Sequence, residues 1–138
     1  DDVESRGLGD VYKRQVLKDE GRFLCSTYGK QHMWEITDLV QKFHKEIVLS
    51  AEVLYERFGL ENGENLLAPY FPEIQMRRYE DAIEIAEAEP LISYILSCHG
   101  NQNQLLLNQY KEFREFVSAR VADGFHITKE AGIFLCRK

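Results

Sequence analysis

The chain lacks the features that would settle its class at once. No apolar run approaches the roughly 18 residues of a membrane-spanning helix, so no transmembrane segment is read in it. Its first residues, DDVESR, are acidic and polar, the opposite of a secretory leader with a basic start and apolar middle. It has three cysteines, an odd number, widely spaced at Cys25, Cys98 and Cys136, with no CxxC pair. Neither a disulfide framework nor a zinc knuckle is indicated, and each cysteine sits in an apolar run, where a buried thiol in a reducing compartment is expected. Basic excess is also missing: 17 Lys and Arg stand against 23 Asp and Glu, a net charge of -6. Phosphate binding needs a basic face, and no stacking aromatics alternate with basic residues, so no nucleic-acid partner is expected. Lys42, Lys45, Arg77 and Arg78 are read as a solvated surface.

What is present is enough for one folded domain. The 138 residues are 44% apolar and 29% charged, ordinary for a globular protein with a real core. Residues 16–21 read as a helix end or turn, with Gly21 where the chain turns. RFLCST, closed by Tyr28-Gly29, reads as a buried strand. From Gln31 to Ile47 the spacing of Ile36, Leu39, Val40, Phe43 and Ile47 predicts a helix with one buried face. Residues 50–60 stay open between a short helix and an extended lead-in. LENGENLLAPYF predicts a short helix that stops or kinks at Pro69, and the alternation from Ile74 to Ile85 predicts a strand. AEAEPLISYILSCHG predicts a helix with Pro90 in its first turn and Gly100 at its end. NQNQLLLNQYKEFREFVSARVADG predicts one long helix striped by Leu106, Tyr110, Phe113, Val117 and Val121. The chain closes on a predicted strand from Phe125 to Cys136, with Gly132 as a bulge. GRFLC at 21–25 and GIFLC at 132–136 are near copies, too far apart for a repeat array. Two central strands, buried on both faces, would explain the echo. The fold class is α/β.

Gly7-Leu8-Gly9 invites comparison with a nucleotide-cradling loop. Such a loop needs a buried strand before it, and Asp1 to Arg6 cannot be one. A flexible tail is expected there.

VLKDEGRFLCSTYG, followed by HMWEITDLVQKF, resembles the segment around the fifth strand of class I S-adenosylmethionine-dependent methyltransferases. In that family the strand follows a helix ending Leu-Lys-x-Gly-Gly, and here Glu20 replaces the first glycine. LENGENLLAPYFPEIQMRRYEDAIEI resembles the next helix and sixth strand, and HITKEAGIFLCRK the antiparallel seventh. The resemblance covers residues 16–138. It implies a partial Rossmann-like sheet with strand seven between five and six, flanked by helices, with a helical insertion about 88–124. It further implies a methyl transfer from S-adenosylmethionine to a small-molecule acceptor in the cytoplasm. The family's cofactor-binding loop and acidic residue lie before anything matched here, so no residue of this chain inherits them, and the chain alone is expected to be inactive. SRGLGDVYKRQ resembles translated sequencing-adapter read-through, so residues 1–15 are expected not to be native.

Methyl transfer is mostly positioning, because the sulfonium is already activated. The loop after the predicted first strand offers Tyr28 to line an acceptor pocket and His32 to accept a proton, and Tyr94 would join them if the apolar helix 90–98 formed a lid. Each has a plainer reading as packing or surface. His32 and Glu35 are spaced like half a metal site with no second half, so no metal is expected. His99 is read as a helix C-cap and His126 as structural. Ser93 and Ser118 have no base near them in sequence. The competing reading is a non-catalytic α/β interaction module, whose unpaired sheet edge and apolar face a partner or second copy would cover. The oligomeric state is left open.

Overall fold

The computed structural model describes residues 15–138. The expectation for a tail over residues 1–15, Gly7-Leu8-Gly9 included, thus lies outside the described residues except at Gln15.

The elements that lie wholly within the described residues are three strands and six helices: β1 (Arg22–Tyr28), α1 (Trp34–Phe43), α2 (Leu54–Arg57), α3 (Gly63–Leu67), β2 (Glu73–Ile85), α4 (Ala88–Ser97), α5 (Gln102–Leu106), α6 (Tyr110–Val121) and β3 (Phe125–Arg137). The fold is mixed α/β, with a three-stranded antiparallel sheet in the order β1-β3-β2. The last strand in sequence therefore lies in the middle. The two echoing segments pair directly, with Phe23 opposite Cys136, Leu24 opposite Leu135 and Cys25 opposite Phe134.

The chain divides into two units, one made of residues up to His32 with Leu54–Glu80 and Glu130–Lys138, the other of Met33–Val53 and Asp81–Lys129. In the first, Leu60, Leu67, Phe71, Phe134 and Cys136 form the core, with Phe23, Cys25, Phe58, Ile74 and Met76 packed against it. Phe23 stacks on Phe71 at 5.6 Å, and Phe58 meets Phe134 edge-on at 5.6 Å. A side chain at Gly63 would sit 2.6 Å from the Phe134 ring, so α3 reaches the sheet only because that position is glycine. The sequence leads one to expect β1 and β3 to be buried on both faces, and this is corrected. β1 alternates between half-buried and exposed residues, and Leu24 is 61% exposed. Among the described residues β1 is an edge strand, and its half-buried side chains Phe23 and Cys25 pack on the core of one face.

The second unit is mainly helical. Ile36, Leu39, Val40, Leu91, Ile92, Ile95, Leu106, Phe113, Val117, Val121 and Ile127 form its core with Ile47. The α1 stripe is the one read from sequence, and Phe43 meets both Phe113 and Phe116 at 5.3 Å. Pro90 falls in the first turn of α4, where its missing N–H costs nothing. Residues 101–124 do not make one helix. The Gln109 N–H bonds to Leu106 O at 2.8 Å in a tight three-residue turn, which ends α5 and restarts the helix as α6. The stripe survives the break, because Leu106, Phe113, Val117 and Val121 all remain buried. His99 does not cap α4. That role falls to Cys98, whose N–H reaches Ile95 O, while His99 forms a short parallel bridge with Ser50. Gly100 is not the helix end either; a side chain there would collide with the Val48 carbonyl. Beside it, Asn101 ties the two segments together, accepting from Val48 N at 2.7 Å and donating to Glu46 O at 2.9 Å. Gln102 is fully buried and donates to Cys98 O, but its Oε1 has no partner among the described residues. Cys136 is buried as expected, whereas Cys25 and Cys98 are half-buried.

Gly132 is not a bulge in the ladder with β1. The ladder runs unbroken through it, with Thr27 as its partner. A side chain there would lie 2.5 Å from Leu60 Cδ2 and 2.9 Å from Arg77 O, so glycine is needed for close packing. Gly124 differs: its φ of 97° is left-handed and nothing crowds it. Gly132→Ala is expected to cost about 1–3 kcal/mol through overpacking, and Gly124→Ala about 1–2 kcal/mol through backbone strain alone. Urea unfolding of both variants checks this. A Gly132→Ala protein as stable as the parent would contradict the close approach.

Candidate functional site

The sequence directs attention to the loop that follows β1. β1 ends at Tyr28 opposite Ala131, and the ladder is prolonged by Gly29 N–H to Glu130 O at 3.0 Å. The chain then turns, with His32 N–H bonded to Gly29 O at 3.2 Å. This turn returns His32 to Tyr28. The two rings stack at 4.2 Å with an interplanar angle of 11°. Glu130 N–H donates to His32 Nδ1 at 3.0 Å, so the ring takes over the ladder bond that β1 no longer supplies. Tyr28 is 49% exposed and carries the outer side of the stack.

This geometry revises the chemistry expected of His32. The lone pair of a neutral imidazole sits on one nitrogen, and here that nitrogen is Nδ1, already accepting from the backbone. The proton is then on Nε2, which makes His32 a hydrogen-bond donor rather than a ready proton acceptor.

The same loop is lined with carboxylates. Lys30 N–H donates to Glu61 Oε1 at 2.9 Å. The Glu130 side chain lies over Gly29, where any Cβ would collide with it, and Arg78 stands 3.6 Å from its carboxylate. Burial pushes the Glu61 carboxyl up, but the Lys30 amide, hydrogen bonds to its own amide and to Glu130, and the Arg78 charge outweigh this and lower its pKa. A loop that cradles a phosphate or nucleoside presents free N–H groups to it. Here the N–H groups of Gly29, Lys30 and His32 are all taken, and the nearby charge is largely negative. Among the described residues, the β1 loop does not fit S-adenosylmethionine, and no step is routed through that cofactor.

Tyr94 belongs to the other unit. It lies on α4, 45% exposed, and its carbonyl accepts from Ser97 Oγ at 2.6 Å and from Cys98 Sγ at 3.4 Å. Burial raises the Cys98 pKa, with the bond to Tyr94 acting in the opposite sense. Ser97 thus turns back onto its own helix.

Glu35 has a role that sequence reasoning missed. Its carboxylate accepts from Thr128 N at 2.8 and 2.9 Å and from Thr128 Oγ1 at 2.6 Å, while Met33 N–H bonds to Thr128 O at 2.7 Å. The start of α1 is clamped to β3, and Met33 is held at a left-handed φ of 56°. The two partners are 93 residues apart, so nothing local in the sequence links them. His32 Nδ1 is thus bonded to Glu130 and the Glu35 carboxylate to Thr128, so both residues of the His32–Glu35 spacing hold β3 backbone. Among the described residues, no group of three or more His, Cys, Asp or Glu could hold a metal ion. His126 pairs with Glu84 across two strands, which raises its pKa. Lys42 pairs with Asp38 at 2.9 Å, and Arg78 lies 3.6 Å from the Glu130 carboxylate.

No family model matches this chain, and no curated protein matches it in sequence.

The Glu35 clamp yields a pH prediction. Burial raises the Glu35 pKa, but the Thr128 hydroxyl and amide and the charge of His126 bring it below the usual carboxylate value. A folded-state pKa below the unfolded one adds stability that is full above about 4.5 and fades as pH falls through the folded value. Glu35→Gln is expected to lose about 1–2 kcal/mol at pH 7, the low end for charged hydrogen bonds because the carboxylate is partly wet. Thermal melts at pH 7 and pH 3 should show the gap between variant and parent closing at acid pH. A gap that is constant with pH would assign the clamp to shape rather than charge.

Proposed function

We propose that this chain is the C-terminal portion of a class I S-adenosylmethionine-dependent methyltransferase, carrying strands five to seven, and that the whole protein methylates a small-molecule acceptor in the cytoplasm. One observation carries the reading. The sheet order is β1-β3-β2, with the last strand between the other two and antiparallel to the first. The resemblance implies this order for strands five, seven and six. It is not forced by chain connectivity, because a simple meander would place β2 in the middle.

In this reading Tyr28 and His32 are acceptor-pocket candidates on the β1 loop, and Tyr94 is a separate candidate on α4. S-adenosylmethionine, when bound, supplies the activated methyl group. Its binding elements are assigned to sequence upstream of Val16, in keeping with a β1 loop whose amides are already used. No nucleic acid, membrane or metal enters the reading. No helix of the described residues is long and apolar enough to cross a membrane.

Long-read sequencing of the source DNA across the codons for residues 1–30 tests the proposal. The expected result is an open reading frame continuing upstream of Val16 and encoding an apolar strand followed by a glycine-rich loop. The joined protein should bind S-adenosylhomocysteine by calorimetry, and the 138-residue chain should not. Confirmation of DDVESRGLGDVYKRQ as native, with no such loop before it, would overturn the reading. So would saturable micromolar binding by the short chain.

A further inference from the structure

The uncovered face of the sheet in the first unit has a distinct chemistry. Alternation along β1 and β3 sends Phe23, Cys25, Phe134 and Cys136 into the core, so the residues between them stand on the opposite side. The register sets Leu24 beside Leu135, Ser26 beside Ile133 and Tyr28 beside Ala131, making one apolar strip across two strands. Leu24 is 61% exposed, Tyr28 49% and Ile133 40%. The same register ends the strip with Arg22 directly opposite Arg137.

That last pair is the telling feature. Like charges directly across a ladder repel. Both arginines are exposed, and neither has a carboxylate partner among the described residues. Composition does not account for this, since the chain has 23 acidic residues against 17 basic ones. A sheet face is covered by a helix or another sheet that buries an apolar stripe on it. An occupant that also brings carboxylates to the arginine end would remove the repulsion as it docks.

We infer that this face docks an acidic amphipathic helix from a separate protein. Its apolar stripe lies along Leu24, Leu135 and Ile133, and its carboxylates meet Arg22 and Arg137. A polynucleotide would match the arginines but leave the apolar strip uncovered. A second copy docked through the same face would set arginine against arginine. The inference does not depend on methyl transfer, and its failure would leave the methyltransferase reading untouched.

The test is a titration of the isotopically labelled chain, followed by amide chemical shifts. The probe is a synthetic amphipathic peptide of about five helical turns, with a leucine stripe and two glutamates at one end. A twin peptide carries lysines in their place. The expected result is shift changes confined to residues 22–28 and 131–137, with the glutamate peptide binding about tenfold more tightly than its twin. Arg22→Glu with Arg137→Glu should reverse that preference. If this charge-reversed protein does not fold, Arg22→Gln with Arg137→Gln should abolish the preference while both peptides still bind weakly. Equal affinity for the two peptides in the parent chain would overturn the inference, as would shifts located elsewhere. Sedimentation showing a dimer that protects the same residues would assign the face to a second copy. Loss of peptide binding in a longer protein extended upstream of Val16 would assign it to a segment of the same chain. Either result would overturn a separate partner.

Discussion

The pairing of β1 with β3 is the constraint on which the first unit rests. It joins Arg22 to Arg137 and continues without interruption to Tyr28 and Ala131, so nearly the whole described chain lies between its partners. Closing so long a loop is entropically costly before any contact compensates for it. What compensates is the aromatic core behind the ladder, where Phe134 from β3 meets Phe58 and Phe23 from β1 meets Phe71. Each of those contacts needs the register as it stands, because a slip by one residue would turn Phe23 and Phe134 to the open side. Long-range pairing of this kind forms slowly, and the intervening helices have time to form first. Gly63 and Gly132 serve the same constraint, since they let α3 and β2 approach the Phe134 ring and the ladder.

Where the ladder stops, side chains take over its hydrogen bonds. Beyond Gly29 no backbone of β1 faces β3. His32 Nδ1 then accepts from Glu130 N–H, and in the helical unit the Glu35 carboxylate accepts from Thr128 N–H. Buried or half-buried amides left unpaired would each cost on the order of 1–3 kcal/mol, so these residues have a structural task independent of any ligand. That task also limits their chemistry. A histidine holding an amide with its lone pair is poorly placed to take a proton from a substrate, and a carboxylate in three hydrogen bonds is poorly placed to bind a metal. The residues that looked most chemical in the sequence are those the fold uses to terminate a strand.

Much of this architecture was legible in the sequence, for identifiable reasons. The strand order that the resemblance implies puts the two FLC segments side by side, and they pair directly. The α1 stripe and Pro90 also read correctly, since helix periodicity and proline chemistry act within a few residues. The failures share another cause. Glu35 and Thr128, or Gly132 and Leu60, act across many tens of residues, and no local pattern reports them. The helix break at Gln109 was hidden because the stripe keeps its phase through the turn. Burial of the strands on both faces was inferred from apolarity alone. Leu24 is apolar but exposed, and apolarity cannot say whether a face is covered within the chain or by something else.

That distinction bears on function. An isolated apolar residue on a surface is ordinary, but a strip spanning two strands and ending in two opposed arginines is not. The interior-facing residues of β1 and β3 are explained by the core they fill. The outward-facing ones, Arg22, Leu24, Leu135 and Arg137, contribute nothing to that core and include a repulsive pair. The fold thus accounts for the inward-facing residues, and the docking inference concerns the outward-facing ones. The methyltransferase reading rests on the order of the strands, and the docking inference rests on the chemistry of the face they expose. The two draw on different residues of the same ladder, and for that reason they can fail independently.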